Sequence, residues 1–276
     1  MKILLLSDLH LEFSELVLPD DIHDIDLVIL SGDITTAKRL NHNFFESKKF
    51  FDSLCSRFPQ VFYIAGNHEF YNSEWNHTLD TLRNFCKCYH NLTFFDNDSL
   101  VLNDYVFVGT TLWTSMDRTS VADKHYIQKS MNDYRVIRFR EKRLTCEDTI
   151  TEHVFSTHFI REVVKAHPEK KVVVMTHHMP TPLSIHPKYK GQTLSAAFAS
   201  DLSDLILENE NIVLWTCGHT HDGHSYRMGK TFVLCNPRGY VTANYEENPA
   251  WNPRNGIIDL ATFNIHDHEE LKVNWF

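Results

Sequence analysis

Five short motifs in this chain end in residues that bind cations or move protons. Asp8 and His10 stand one residue apart, and Asp33 follows a glycine. Gly66-Asn67-His68-Glu69 comes next, then His177-His178, and last Gly218-His219-Thr220-His221. Carboxylate, amide and imidazole are oxygen and nitrogen donors without thiolate. That set suits Mn, Fe, Zn or Co rather than Ca, which prefers oxygen alone. One ion takes about four to six ligands from protein and water together, so the inventory is too rich for one ion and right for two that share a carboxylate. Asp33 is the natural bridge, because its two oxygens can hold ions roughly 3.5–4 Å apart. The glycines before Asp33, Asn67 and His219 fit backbone that turns sharply. With 18 His in 276 residues, the chain is rich in the side chain that both ligates metals and titrates near neutrality.

Such motifs need a scaffold that gathers distant residues. Each follows a short apolar run, at 3–6, 27–30, 61–64, 172–175 and 212–215. Runs of this length suit strands buried on both faces. In open α/β sheets, ligands gather beyond the carboxyl ends of such strands. Stretches with helical spacing lie between them, for example 44–58, apolar at Phe44, Phe45, Phe51, Leu54, Cys55 and Phe58. The class is therefore α/β. Apolar runs on either side of Asp96-Asn97-Asp98 read as strand, turn, strand, and 105–109 adds another after Asn103-Asp104. Runs 224–228 and 231–234 are joined by Gly229-Lys230, a two-residue hairpin signal. The core is mixed rather than purely parallel. Residues 115–170 show no clear strand and a helix over 149–167; they read as a helical insertion within a single domain spanning 1–276.

In order along the chain, DLH, GDI, GNHEF, a strand-ending THH and GHTH resemble the calcineurin-like metallophosphoesterase superfamily. The likeness runs from Asp8 to His221. It implies a two-sheet β-sandwich flanked by helices, an α-β-β-α arrangement. It also implies that Asp8, His10 and His221 bind one metal, Asn67, His177 and His219 the other, and Asp33 both. His68 would match the histidine that contacts phosphate and assists the leaving group, with Asn67 beside it at the substrate. Every ligand position fits the family pattern. The implied enzyme is a phosphodiesterase or phosphatase with two divalent or trivalent ions (Mn, Fe, Zn or Co). Such ions lower the pKa of a bound water from 15.7 to roughly 7, so that hydroxide attacks in line.

Other residues have more ordinary readings beside functional ones. Arg135 belongs to a basic stretch with Arg138, Arg140, Lys142 and Arg143, which reads first as a solvated helix face and second as a contact for phosphate or nucleotide. Residues 131–135, with His125 and Tyr126, could form a lid whose aromatic and Arg side chains hold a base or phosphate. Segment 235–240 is either an ordinary Pro-Gly turn or a means of bringing Arg238 or Tyr240 to the rim. His178, second of a pair on an extended segment, points away from the first and orients or packs. Glu69 orients a neighbour, and Thr220 caps or packs. Cys217, at the end of a buried strand, reads as inert. Cys86 and Cys88, two apart on a helix, face different directions.

Composition narrows the substrate. The chain has 27 Lys and Arg against 36 Asp and Glu, a formal charge of −9, whereas affinity for a nucleic-acid backbone comes from clustered Lys and Arg. A small phosphate ester is the expected substrate. The rivals are a nuclease acting on DNA or RNA and a non-catalytic scaffold of the same fold; a scaffold can lose ligands, and none is missing here. At 42% hydrophobic and 23% charged, the chain can bury a sizeable core. Near the N-terminus only 3–6 is continuously apolar, too short for a signal-peptide core or a membrane span. Six scattered cysteines without CxxC spacing read as reduced thiols. The expectation is a cytoplasmic protein without a membrane partner.

Overall fold

The first apolar run serves two cores at once: Ile3 and Leu5 face one, and Leu4 and Leu6 face another. Strand geometry causes this, because successive side chains point to opposite faces. The computed structural model describes residues 1–41, 45–262 and 273–276. From the N-terminus come β1 (Lys2–Leu6), β2 (Leu27–Ser31), α1 (Ala37–Asn41), α2 (Phe45–Arg57) and β3 (Val61–Ile64). There follow α3 (Trp75–Cys86), β4 (Leu92–Phe95), β5 (Asp98–Leu102) and β6 (Tyr105–Thr110). The middle of the chain holds α4 (Val121–Ser130), α5 (Asp133–Val136), the paired β7 (Arg138–Phe139) and β8 (Lys142–Arg143), and α6 (Cys146–Ala166). The rest comprises β9 (Lys171–Thr176), α7 (Ser203–Glu208), β10 (Ile212–Cys217), β11 (His224–Met228) and β12 (Thr231–Cys235). The last strands are β13 (Val241–Thr242), β14 (Tyr245–Glu246), β15 (Ile257–Asp259) and β16 (Asn274–Trp275).

The longer strands form two sheets. One has the order β15-β1-β2-β3-β4, with β1 to β4 parallel and β15 antiparallel to β1. The other has the order β16-β11-β12-β10-β9-β6-β5, parallel from β12 to β6 and antiparallel toward both edges. Between the sheets, Ile3, Leu5, Ile29, Phe62 and Ile64 meet Phe107, Val173, Met175 and Leu214. The rings of Phe62 and Phe107 are 5.1 Å apart. Each fully buried side chain of this kind contributes about 1.5–3 kcal/mol. A Cβ on Gly109 would fall 2.5 Å from the Phe95 Cβ, so the sheets approach this closely only because glycine stands there. On the outer face of the first sheet, Leu4, Leu30 and Tyr63 pack with Phe51 and Leu54 of α2 and with Leu79 and Leu82 of α3. On the second, Val106, Val172 and Trp215 pack with Ile160 and Val164 of α6 and Leu205 of α7. The layering is α-β-β-α, as the resemblance implied. Among the described residues, no helix is long and apolar enough to cross a membrane.

Local departures from the sequence reading have physical reasons. β4 and β5 form on either side of Asn97 but belong to different sheets, with Asn97 in left-handed backbone (φ 51) where the chain passes between them. The helix expected over 149–167 starts at Cys146, because Thr145 and Asp148 form a reciprocal capping box. Residues 115–170 do contain strand: β7 and β8 pair across Arg140 (φ 48) and Glu141 (φ 65), a turn without the Asn-Gly pattern that would announce it. The basic run at 138–143 is therefore a hairpin and not a helix face. Phe44, counted in the expected 44–58 helix, lies outside the described residues. The hairpin expected at Gly229-Lys230 forms, with Gly229 at φ 58.

Candidate metal centre

Because β1, β2 and β3 are parallel in one sheet and β9 and β10 in the other, the loops after these strands carry the chemistry-bearing motifs to one place. The loops are bound to each other through the backbone: the Asp8 amide donates to the Gly32 carbonyl at 3.0 Å, and the His10 amide to the Asp33 carbonyl at 3.0 Å. Glu69 ties the loop after β2 to its own loop after β3. Its carboxylate accepts from the amides of Asp33 (2.9 Å), Ile34 (2.8 Å) and Gly66 (2.7 Å) and from the Tyr63 hydroxyl (2.7 Å). Asp8, His10, Asp33, His219 and His221 all adopt left-handed backbone, with φ between 46 and 70. That conformation costs an L-residue about 1–2 kcal/mol. Strain of this kind clusters where function over-determines the chain.

The donors converge in two groups that meet at Asp33. On one side, His10 Nε2 lies 3.8 Å from Asp33 Oδ2 and 3.0 Å from His221 Nε2, which is 3.4 Å from Asp8 Oδ1. On the other, Asn67 Oδ1 lies 3.0 Å from His177 Nε2 and 3.0 Å from His219 Nδ1, and His177 Nε2 is 3.5 Å from Asp33 Oδ1. A Cβ on Gly32 (φ 83) would fall 2.6 Å from His177 Nδ1, so glycine is required beside this second group.

These residues fit a pair of cations. His10 Nδ1 donates to Glu12 and His221 Nδ1 to Glu247, so in their neutral tautomers both Nε2 lone pairs face a common point. Asp8 Oδ2 is buried without a hydrogen-bond partner, a costly condition that a metal ligand relieves. The field has the right sign as well. Burial opposes protonation of His177, but the Asp33 and Asp8 carboxylates reverse this and lift it to about 10. Against the same burial, Asp8 and Glu247 lift His221 to about 10. Burial also opposes ionisation of Asp33, yet His177 and His68 hold its carboxyl well below the usual range.

Across residues 1–223 the sequence matches the calcineurin-like phosphoesterase family. The chain belongs to that family. It is 29% identical over 271 residues to an uncharacterized protein of Acanthamoeba polyphaga mimivirus, covering 88% of this chain and 92% of that one. Among solved structures it is similar to a phosphopantetheinyl hydrolase from Mycobacterium tuberculosis: TM-score 0.66, 18% identity, 87% of this chain and 89% of the other. It is also similar to a dimetal phosphatase from Danio rerio: TM-score 0.50, 13% identity, 86% of this chain and 87% of the other. Likeness at these identities concerns the fold.

In this calcineurin-like phosphoesterase, His68 sits on a 3-10 turn beside the two groups. Its Nδ1 is 2.9 Å from Glu12 Oε1, its Nε2 is 3.1 Å from the Tyr240 hydroxyl, and its ring stacks on Tyr71 at 4.0 Å. Burial opposes protonation of His68, but Asp33 and Glu12 raise its pKa above the usual value. His178 turns away, as expected. Its ring lies between Trp113 (5.0 Å) and His219 (4.2 Å), and burial pushes its pKa down to about 3, so it stays neutral.

A cavity of about 330 Å³ opens over Asp33, Asn67, His68 and His219. Met131, Asn132 and Asp133 form part of its wall, so the expected lid segment does reach the site. Arg135 does not. It is exposed, its guanidinium donates to Asn132 Oδ1, and it is absent from the cavity lining. Arg238 is absent from the lining as well. Its buried guanidinium donates to the carbonyls of Leu9 (3.1 Å) and Glu15 (3.0 Å) and to Ser14 Oγ (3.0 Å), which pins the loop after β1. Of the two rim candidates in 235–240, Tyr240 lines the cavity.

Sequence reasoning missed the residues that hold the donors in place. Glu12 bonds both His10 and His68, and these two hydrogen bonds take its carboxyl down to about 2 against the opposing effect of burial. Asp133 accepts from Asn67 Nδ2 (2.8 Å) and from the Tyr71 hydroxyl (2.7 Å), which leaves Asn67 Oδ1 facing the histidines. Glu247 holds His221 at 2.6 Å. The apolar wall of Ile185, Tyr189, Leu194 and Phe198 was also missed. Only Glu12 carried a local signal, continuing the alternation Asp8, His10, Glu12.

Proposed function

We propose that this phosphoesterase hydrolyses a small phosphate ester at two metal ions, one held by Asp8, His10, Asp33 and His221 and the other by Asp33, Asn67, His177 and His219. The observation that carries this reading is the meeting of both donor groups at the single carboxylate of Asp33. Two such cations, when bound, supply neutralisation of phosphate charge and acidification of water. The chain's own residues do the rest. His68, whose pKa Asp33 and Glu12 raise against the effect of burial, faces the cavity and would give a proton from Nε2 to the departing oxygen. Met131, Ile185, Leu194 and Phe198 take the carbon portion of the ester and exclude water around it. A cavity of about 330 Å³ is the size of a small-molecule site, which favours a small ester over a polynucleotide.

The test is metal analysis of the purified protein followed by a substrate panel. The panel comprises a nitrophenyl phosphomonoester, a bis-nitrophenyl diester, cyclic nucleotides, dinucleoside polyphosphates and single-stranded DNA. A phosphopantetheine ester joins them because one structural neighbour is a phosphopantetheinyl hydrolase. The expected result is chelator-sensitive turnover of at least one small ester. Full metal occupancy with no turnover would favour a scaffold, and turnover of DNA alone would favour a nuclease.

A further inference from the structure

Behind the phosphoesterase donors lies a second cluster of a different kind. Cys217 ends β10, Cys235 ends β12 and His224 begins β11. These strands are neighbours in one sheet. Cys217 is in register with Cys235, and Cys235 with His224, so the three side chains form a row on one face. Their ligand atoms all lie within 4.8 Å of one another. All three residues are 0% exposed.

The imidazole indicates what the row is for. His224 Nδ1 lies 2.9 Å from the Asp222 carbonyl, which can only accept, so Nδ1 carries the proton. Nε2 is then an unprotonated lone pair, and it is buried with no hydrogen-bond partner. A backbone carbonyl holding one ring nitrogen while the other presents its lone pair is how a metal-ligating histidine is oriented. Two sulfurs and an imidazole nitrogen select thiophilic ions more strongly than the sulfur-free oxygen and nitrogen centre nearby.

We infer that Cys217, Cys235 and His224 form a separate binding site for a thiophilic divalent cation of the zinc(II) class. Binding forms two metal–sulfur bonds and one metal–nitrogen bond, and the two thiol protons leave to solvent. Two thiolates and a divalent ion sum to zero charge, which suits a buried position. The ion ties together the ends of three adjacent strands. Cys217 lies two residues before His219, so the tie steadies the loop that carries His219 and His221.

The donor sets make the test specific, because the phosphoesterase centre contains no sulfur. The full chain, kept reduced, is stripped of metal and titrated with cobalt(II). The expected result is a sulfur-to-cobalt charge-transfer band in the near ultraviolet, together with one equivalent of metal beyond those held by the oxygen and nitrogen centre. Adding zinc(II) should bleach the band. Cys217→Ser and Cys235→Ser should each lose both the band and that equivalent. Absence of the band from the wild-type chain at saturation would overturn the site; this needs no variant to fold. Persistence of the band in folded Cys235→Ser would assign it elsewhere and overturn the site too. The band is independent of whether the chain hydrolyses any ester.

Discussion

Glu12 Oε1 lies 2.9 Å from His68 Nδ1 and 3.1 Å from His10 Nδ1, so one carboxylate orients imidazoles from two different strand ends. A residue of one donor group and the proposed proton donor are thereby fixed relative to one another. His68→Ala is expected to lower kcat by about 10²–10⁴ while metal content holds. Glu12→Gln should give a smaller loss, and the double variant should lose less than the product of the two single losses, because part of the Glu12 effect passes through the His68 ring and the rest through His10. Steady-state kinetics of the three variants decide the matter; losses that multiply would show that the two residues act independently.

Asp33 stands in both donor groups, whereas Asp8 stands in one. Asp33→Asn should therefore weaken both metal positions by at least roughly tenfold, and Asp8→Asn mainly one. Metal titration monitored by calorimetry would show this as the loss of both binding phases against the loss of one. Two intact phases in Asp33→Asn would remove it as a bridge.

Arg238 is a brace for the loop after β1. Arg238→Ala leaves the oxygens of Leu9, Ser14 and Glu15 without their donor, and the expected cost is about 1.5–3 kcal/mol of stability. KM for the accepted ester should stay unchanged. Urea unfolding and steady-state kinetics on the same preparation check both halves. A raised KM at unchanged stability would return the residue to the substrate.

His153 on α6 gives a pH dependence. Burial lowers its pKa below the ordinary 6.5, although hydrogen bonds to the carbonyls of Leu112 and Trp113 pull the other way. Between that lowered value and 6.5 the unfolded chain binds more protons than the folded one. Its contribution is thus fully present above 6.5 and declines as pH falls from there through the folded-state value. Urea midpoints of wild type and His153→Gln are compared between neutral and about pH 5. The wild-type midpoint should drop toward acid relative to the variant. A constant difference across that range would mean that His153 is not held neutral by the fold.

The donors were legible because each closes an apolar run. Burial forces a strand such as Val61–Ile64 into the sandwich, and Asn67 and His68 must then emerge at its end. The parallel strands that deliver them, β1, β2, β3, β9 and β10, were legible for the same reason, whereas β15 and β16 were not read from the sequence. What holds the donors was not. Asp133 reaches Asn67 from a four-residue helix, and Glu247 reaches His221 from just past a two-residue strand, segments whose course is set by packing rather than by periodicity. The wall containing Ile185, Tyr189 and Leu194 belongs to successive 3-10 turns, where no repeating face marks which side chain points inward. Arg135 and Arg238 show the complementary case. Charge suggested an anion for each, but one guanidinium turns to a neighbouring amide and the other is consumed by backbone carbonyls.

The left-handed backbone at Asp8, His10, Asp33, His219 and His221 has an evolutionary consequence. Each of these positions would be more comfortable as glycine or asparagine. A duplicated copy released from its chemistry would be drawn toward those residues by stability alone, before any drift in the sandwich core. Relaxation at these five codons is thus where a degenerate descendant of this lineage would first betray itself.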